Sequence, residues 1–376
     1  MRKIDFFQIF VNFTLKINDF PMDSSKTKKV MCFSLVDTDR EVVIPEYKEV
    51  SPSSGDALVK WGPDNTYPNI LRSMVKESVS ATSVVNGTAE YMKGLKYEFN
   101  LTGNITEAKA NHDETLMDII DACVKDQIIF SGFCLQVIYN KLGEIAELYN
   151  LPMDFVRMNE DKTKFYFSKK WSKYSTKSVE YPKFNKDENK PLVPSEVFCM
   201  SNAGRSQVYP SSSFAPVLFD MYSESVASKY IAKTLDGGIS ARYVISLPNS
   251  ENLTDEQKAD IESGIRDKFT GVNNAGSFLL YFNSGDQGLE VEKIEGDETG
   301  DTFNAISDAA SLHIYKALHC TPNLMGDPSH SSGFSEQEYE GSLKLFKKMT
   351  LTPLARVIER GFNEVLGENA IKITVE

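Results

Sequence analysis

A histidine followed at once by a cysteine, His319-Cys320, is the pair in this sequence closest in type to a nucleophile with its base. Such a pair needs the imidazole within hydrogen-bond reach of the thiol and a third group to orient it. Neighbouring residues at a helix end point to different sides, and no orienting group stands out beside them. Asp297, Glu298 and Asp301 cluster, yet a chain with 53 Asp and Glu clusters some by chance. "GRSQ" and "DGGIS" set glycine among polar residues but match neither a phosphate-cradling loop nor a G-x-S-x-G elbow. For metal chemistry, only His319-Cys320 with His330 comes near, and their spacing is not that of paired ligands. No catalytic residue, cofactor or metal site is expected on these grounds, and a hydrolase or nuclease reading would have to rest on His319-Cys320.

The charge points the same way. The chain has 376 residues and a formal net charge of −12. A protein that grips DNA by neutralising phosphates presents a basic face. Here the basic runs are "KTKK" (26–29) and "SKKWSKYSTK" (168–177), and the second reads as an exposed hairpin with solvated charges. The five cysteines contain no C-x-x-C pair, and Cys123 and Cys134 sit in apolar surroundings. That pattern suits reduced thiols packed as small hydrophobes. No apolar run approaches the roughly 20 residues of a membrane span, so no membrane partner is expected. The opening "MRKIDFFQIFVNFTLKINDF" is interrupted by Asp5, Gln8 and Asn12 and lacks a small-residue cleavage site, so it reads as an irregular arm or a misplaced start, with Met22 or Met31 as later candidates.

The elements that would position these residues follow from periodicity. Pro68 to about Lys93 predicts one helix with Leu71, Met74, Val75, Val79, Val85, Ala89 and Met92 on one side, ended by Gly94. A second, about Asp113 to Phe130, carries Leu116, Ile119, Ile120, Cys123 and Ile128 and stops at Ser131-Gly132. Strands "CLQVIY" and "IAELYNL" flank a turn at Lys141 to Glu144, and "FVRM", "KFYFS" and "EVFCMS" follow. A third helix begins after Ser212-Ser213, with a stripe of Leu218, Met221, Tyr222, Val226 and Tyr230.

Past Gly237-Gly238 comes a compact α/β module. It comprises strand "ARYVISL", a helix opened by a Thr254-x-x-Gln257 capping box with Ala259, Ile261, Ile265 and Phe269 inward, and strands "GSFLLYF" and "LEVEKIE". Asp301 to about His319 is helical, with Phe303, Ile306, Ala310, Ile314 and Ala317 at helical spacing. After a loop rich in Pro, Gly and Ser, a helix from about Ser335 to Leu366 buries Tyr339, Leu343, Phe346, Leu354, Ile358 and Phe362. Pro353 falls inside it, where a proline removes a hydrogen bond, clashes with the carbonyl of Met349 and kinks the helix.

The stretch "VKWGPDNTYPNILRSM" sets a Trp, a Gly-Pro turn and two polar amides ahead of the first helix. Gly62-Pro63 marks a turn, Tyr67 is pushed to extended geometry by the next proline, and Pro68 suits a first helical turn. Asp64, Asn65 and Thr66 can each bond free amides there. This reads as a well-specified helix start rather than a binding loop.

Taken in order, these pieces resemble the portal (head-to-tail connector) proteins of tailed bacteriophages. "WGPDNTYPNIL" is similar to a motif near the start of many portals, and "FSGFCLQVIYNKLGEIAELYNLPMDFVRM" resembles their helix-hairpin block. "EVFCMSNAGRSQVYPSSSFAPV", "LTDEQKADIESGIRDKFTGVNNAGSFLLYF", "ISDAASLHIYKALHCTPNLMG" and "FKKMTLTPLARVIERGFNEVL" are similar to the lead into the first stem helix, the clip, the second stem helix and the last long helix.

The resemblance implies an α+β portal-like subunit. Its parts would be an arm (1–58), an α/β wing (59–211), a first stem helix (212–238), a clip module (239–297), a second stem helix (298–321), a tunnel loop (322–335) and a kinked C-terminal helix with a short tail (336–376). The crown that many portals carry would be reduced to a few residues or missing. Such a subunit is not an enzyme. It would form a homo-oligomeric ring, of the dodecamer type, in the virion at one capsid vertex after assembly in the host cytoplasm. Implied partners are the major capsid protein, the terminase large subunit, a tail or adaptor protein, and double-stranded DNA passing through with weak, non-specific contact.

In the same reading Gly326, Asp327, Pro328, Ser329, His330, Ser331, Ser332 and Gly333 line the DNA channel. Lys344, Lys347 and Lys348 either steady the duplex or are ordinary solvated charges. An acidic ring repels the duplex on average and lets it slide. A non-viral or tail-side structural ring of related architecture is the alternative.

Overall fold

The structure is a computed structural model. It describes residues 47–51, 58–172, 177–187, 193–236, 299–327 and 336–375, with strands at 30–32, 242–247, 278–282 and 290–294 and positions Thr254, Gln257 and Asp260. In chain order the first strands are β1 (Val30–Cys32), β2 (Glu49–Val50) and β3 (Lys60–Trp61), followed by helices α1 (Tyr67–Glu77) and α2 (Val79–Lys93). Then come β4 (Lys96–Phe99), α3 (Leu116–Phe130), β5 (Gly132–Tyr139), β6 (Ile145–Leu151), β7 (Val156–Met158), β8 (Lys164–Phe167), β9 (Val179–Pro182) and β10 (Ser195–Ser201). Helix α4 (Leu218–Asp236) precedes β11 (Arg242–Leu247), β12 (Phe278–Phe282) and β13 (Glu290–Ile294). The last elements are α5 (Thr299–Ala317), α6 (Glu336–Phe346), a π-turn (Lys347–Leu351), α7 (Thr352–Leu366) and β14 (Ile371–Thr374).

The chain divides into two compact units, one of residues 1–39 and 233–297 and one of 40–232 and 298–376. In the smaller unit the sheet order is β1-β12-β11-β13, with β11 and β12 parallel and the other pairs antiparallel. Val30–Cys32, within the segment 1–58 expected to be an arm, is an edge strand of this sheet. The capping box is present: Gln257 N donates to Thr254 Oγ1 at 3.3 Å and Thr254 N to Gln257 Oε1 at 3.0 Å. Ala259, Ile261, Ile265 and Phe269, expected to face inward, lie outside the described residues.

The larger unit has two hydrophobic cores, divided by α3 and β5. Strand alternation explains the division: Phe133, Leu135 and Val137 of β5 enter one core and Cys134 enters the other. The first core adds Ile358 and Phe362 of α7 and Ile371 of β14. The second adds Trp61, Leu71, Tyr209 and Met221. The three-stranded sheet β10-β5-β6 and the sheet β7-β8-β9 are antiparallel, and β14 pairs with β4.

Several expectations need correction. The single helix expected over 68–93 is two, because Ser78 is extended (φ −90°, ψ 125°) and caps α2 through the Ala81 amide. Val79, placed on the buried stripe, is consequently a first-turn residue in solvent. The run from 168 to 177 is not simply an exposed hairpin, since Trp171 within it is buried and donates to Phe155 O at 2.8 Å. Directly ahead of Pro353 the helix widens into the π-turn, where Thr352 N–H reaches back to Lys347 O and Thr352 Oγ1 donates to the same carbonyl at 2.8 Å. An i→i−5 turn displaces the carbonyls that a proline ring would otherwise meet. Tyr339, expected on the buried face, is exposed, as are Val226 and Ile306 of the apolar stripes.

Candidate functional site

The candidate channel residues fall on both sides of one segment. Gly326 (φ +82°) ends the 3-10 turn Pro322–Met325, and Asp327 N donates to Pro322 O at 3.0 Å. Pro328, Ser329, His330, Ser331, Ser332 and Gly333 lie outside the described residues. Beyond them Lys344 and Lys348 are exposed, whereas Lys347 is half-buried and turned into a groove of about 630 Å³ with Tyr91, Leu95, Leu343 and Leu351. The three lysines therefore do not share one environment. Pro353 sits in the first turn of α7.

What holds the ends of this segment is a tyrosine that sequence reading left unmarked. Tyr91 of α2 donates to Leu324 O at 3.3 Å and lies 3.3 Å from the Tyr339 hydroxyl of α6. Its ring meets Phe346 edge-on at 5.5 Å between centroids. One turn earlier, a Cβ at Gly87 would run into the side chain of Met325 in the 3-10 turn. Burial, then the Tyr339 hydroxyl, pushes the Tyr91 phenol above its ordinary range, so it stays a donor through neutral pH.

The stretch "WGPDNTYPN" builds a different centre. Thr66 makes no side-chain cap bond, and Asn65, in left-handed geometry (φ 59°), turns its oxygen elsewhere. Asn65 Oδ1 accepts from Trp61 N at 3.1 Å and from Arg157 Nε at 2.6 Å. Arg157 is fully buried, and its other donors reach Asn65 O at 2.7 Å, Asp154 O at 2.9 Å and Val156 O at 2.8 Å. Its guanidinium lies over the rings of Trp171 and Trp61, at 5.0 and 5.9 Å from their centroids. Burial lowers its ionisation to about 10, which leaves it charged at neutral pH and held by carbonyl dipoles. A lone Arg inside the apolar strand "FVRM" was the available signal for this anchor.

A second buried tie joins α4 to the start of α2. The Glu224 carboxylate accepts from the Ser78 hydroxyl, from Ser80 Oγ at 2.6 Å and from Ser80 N at 3.2 Å. An anionic side chain at a helix N-terminus satisfies free amides and meets the positive end of the helix dipole. Helix α5 meets α4 through His313 Nδ1 and Asp220 Oδ1, 2.9 Å apart. Phe219 and Val226 on α4 and Ile306 and Leu312 on α5 remain 59, 38, 43 and 42 % exposed.

His319 and Cys320 are not arranged as base and nucleophile. His319 is exposed with φ +52°, whereas Cys320 is buried in the first core. Burial pushes the Cys320 thiol up to about 12, opposite to the lowering that activates a nucleophile. No helix of the described residues is long and apolar enough to cross a membrane.

The geometry is that of an α/β chain whose helices keep exposed apolar residues and whose buried polar ties, through Glu224 and Arg157, fix the positions of its elements. Residues 100–376 match the family described as "Phage portal protein". This chain belongs to the phage portal protein family. In fold it is similar to a chain from the neck of a native gene transfer agent particle computed with C12 symmetry, at 14% identity and TM-score 0.54, covering 82% of this chain and 84% of that one. It is also similar to a chain from the virion of the native gene transfer agent, at 15% identity and TM-score 0.54, over 81% and 83% of the two chains. An HK97 family phage portal protein from Corynebacterium diphtheriae is similar at 13% identity and TM-score 0.50, over 81% of this chain and 94% of its own. No curated protein matches the chain.

Proposed function

We propose that this chain is the repeating subunit of a portal ring at a capsid vertex, through which double-stranded DNA is packaged and later released. The observation that carries this reading is the family match over residues 100–376. Exposed Phe219, Val226, Ile306 and Leu312 support it, because apolar residues left open on two helices of one copy are covered when copies close head-to-tail into a ring. In this reading α4 and α5 are the stem helices, the sheet of β11 to β13 belongs to the clip that meets the terminase large subunit, and the α/β part ahead of α4 is the wing. The major capsid protein and a tail or adaptor protein are the remaining partners, and the subunit resides in the virion.

The tunnel loop, 322–335, lines the channel in this reading through Gly326 to Gly333, with Pro353 setting the angle at which the kinked helix presents it. Small polar side chains such as its serines slide past phosphates without ion pairs. The net charge of −12 keeps contact with the duplex weak and free of sequence preference.

Negative-stain images of the purified chain should show rings with a central hole, and uniformly compact single subunits would overturn the proposal. Deleting Ser329 to Ser332 should leave the rings intact and impair DNA packaging or retention. A ring reconstruction with this segment on the outer rim would refute its placement.

A further inference from the structure

β5 and β10 bring two cysteines face to face. Cys134 and Cys199 are direct partners in the antiparallel ladder, and their sulfurs lie 2.7 Å apart. Opposed residues on antiparallel strands hold their Cα atoms about 4.5–5.5 Å apart, inside the span of about 4.4–6.8 Å that a disulfide bridges. Closing the sulfur separation to the bonded length of about 2.05 Å is a side-chain adjustment that leaves the ladder in place. The surroundings are soft, with Met153 Sδ 3.5 Å from Cys134 Sγ. Cys134 is fully buried and Cys199 only partly, so a small oxidant arrives at Cys199.

We infer that Cys134 and Cys199 are a covalent modification site, joined as a reversible cross-strand disulfide by a peroxide oxidant and reopened by a thiol reductant. In the first step the Cys199 thiolate attacks one oxygen of hydrogen peroxide, the O–O bond breaks, and hydroxide leaves to take up the proton released by the thiol. Cys199 is then a sulfenic acid. The Cys134 sulfur next attacks the Cys199 sulfur, the S–O bond breaks, and water departs with the Cys134 proton. Two thiols and one peroxide give one disulfide and two waters, and the two electrons lost by sulfur reduce the peroxide. Burial pushes the Cys134 thiol well above its ordinary range, which leaves the first attack to Cys199. The bridge joins residues 65 apart in the chain, so it restricts the unfolded chain over a long loop. The chemistry needs only these two strands and is independent of ring formation.

The full chain, treated with hydrogen peroxide, quenched and alkylated under denaturing conditions, is read by intact mass and non-reducing peptide mapping. The expected result is loss of two hydrogens and one cross-linked peptide joining Cys134 to Cys199, reversed by dithiothreitol. The melting temperature should rise by on the order of 5 °C on oxidation. Cys320→Ala should behave as the wild type, and Cys199→Ala should lose both the mass change and the stabilisation. Alkylation of both Cys134 and Cys199 after peroxide treatment, a stable sulfinic acid at Cys199 without a bridge, or a cross-link between other cysteines would overturn the assignment. The wild-type peptide map decides the matter even where Cys199→Ala fails to fold.

Discussion

The Tyr91 hydroxyl sits 3.3 Å from the Tyr339 hydroxyl and 3.3 Å from the Leu324 carbonyl, so one side chain on α2 holds the turn before the 328–335 segment and the helix after it. The two ends are fixed to the same helix whatever the segment between them does. Tyr91→Phe removes both contacts and keeps the ring against Phe346. It should cost about 1 kcal/mol, the net worth of a typical hydrogen bond. The sharper readout is hydrogen exchange, which should quicken at the amides of Glu336–Phe346 while α3 keeps its protection. Unchanged exchange in α6 would mean that packing alone, through Phe346, holds the segment's base.

Arg157 anchors the aromatic cluster of Trp61 and Trp171, and its substitution by lysine should be severe despite the retained charge. A lysine has three donors on a compact head and cannot fork to Asn65 Oδ1, Asn65 O and Asp154 O together. Unpaired carbonyls and a poorly held buried charge should cost about 3–5 kcal/mol. Urea unfolding of Arg157→Lys measures this, and a loss below about 1 kcal/mol would show that water replaces the missing donors.

The local parts of this fold were legible and the long-range ones were not. Periodicity located α3, β5, β6 and the turn between them because apolar residues there recur at 3.6 and 2 positions. Gly62-Pro63 and Pro68 announced a helix start, but Tyr67, expected to be extended ahead of Pro68, is already the first residue of α1. The break at Ser78 was invisible, since "KESVSATS" continues a helical pattern, and what holds Ser78 extended is Glu224, 146 residues away. Asn65 read as a helix cap because its true partner, Arg157, lies 92 residues on. The stripes through Val226 and Ile306 were recognisably apolar, but periodicity does not say whether the same chain or another copy covers them.

Two helix glycines should respond to alanine in opposite directions. Alanine is favoured over glycine in helix interiors by about 1 kcal/mol where nothing else intervenes. At Gly341 a Cβ meets nothing within 4 Å, so Gly341→Ala should raise stability by about 0.5–1 kcal/mol. At Gly361 the same atom would lie 2.5 Å from Phe133 Cζ, a ring packed between α7 and β5. Gly361→Ala should therefore lose about 1–3 kcal/mol through overpacking. Thermal melts of the two variants test the pair, and a stabilised Gly361→Ala would show that Phe133 shifts freely.

The start of α3 carries a pH-dependent contribution whose sign follows from its capping box. Asp118 Oδ2 accepts from Thr115 Oγ1 at 2.6 Å and from Thr115 N at 2.9 Å, and these bonds, the side-chain one first, hold the Asp118 carboxyl below its ordinary range. A carboxylate with a depressed folded value contributes stability above its unfolded value, near 3.9, that is lost as pH falls through the folded value. Thr115→Ala should lower stability by about 1 kcal/mol at neutral pH. The difference from wild type should shrink on acidification below about pH 4, where the bonds to charged Asp118 no longer count. A difference that grows with acidification would reverse the assignment.

The exposed apolar residues of α4 and α5 make the ring reading separable from the fold. Phe219 and Ile306 are 59 and 43 % exposed, so each loses little burial within the subunit when replaced by serine, and stability should change by about 0.5 kcal/mol or less per site. Between subunits the same side chains would be fully covered, where each buried aliphatic or aromatic group contributes about 1.5–3 kcal/mol. A contact repeated at every joint of a closed ring multiplies that loss, so Phe219→Ser with Ile306→Ser should give a folded single subunit that no longer closes. Leu142→Ser is the control: Leu142 is 81 % exposed but stands in the turn between β5 and β6 rather than on either helix, and its replacement should leave rings unaffected. Sedimentation velocity at matched concentration reads all three chains. Rings that persist in the double variant would assign the joint to another face of the subunit. If Leu142→Ser breaks them, the β5–β6 turn belongs to that joint.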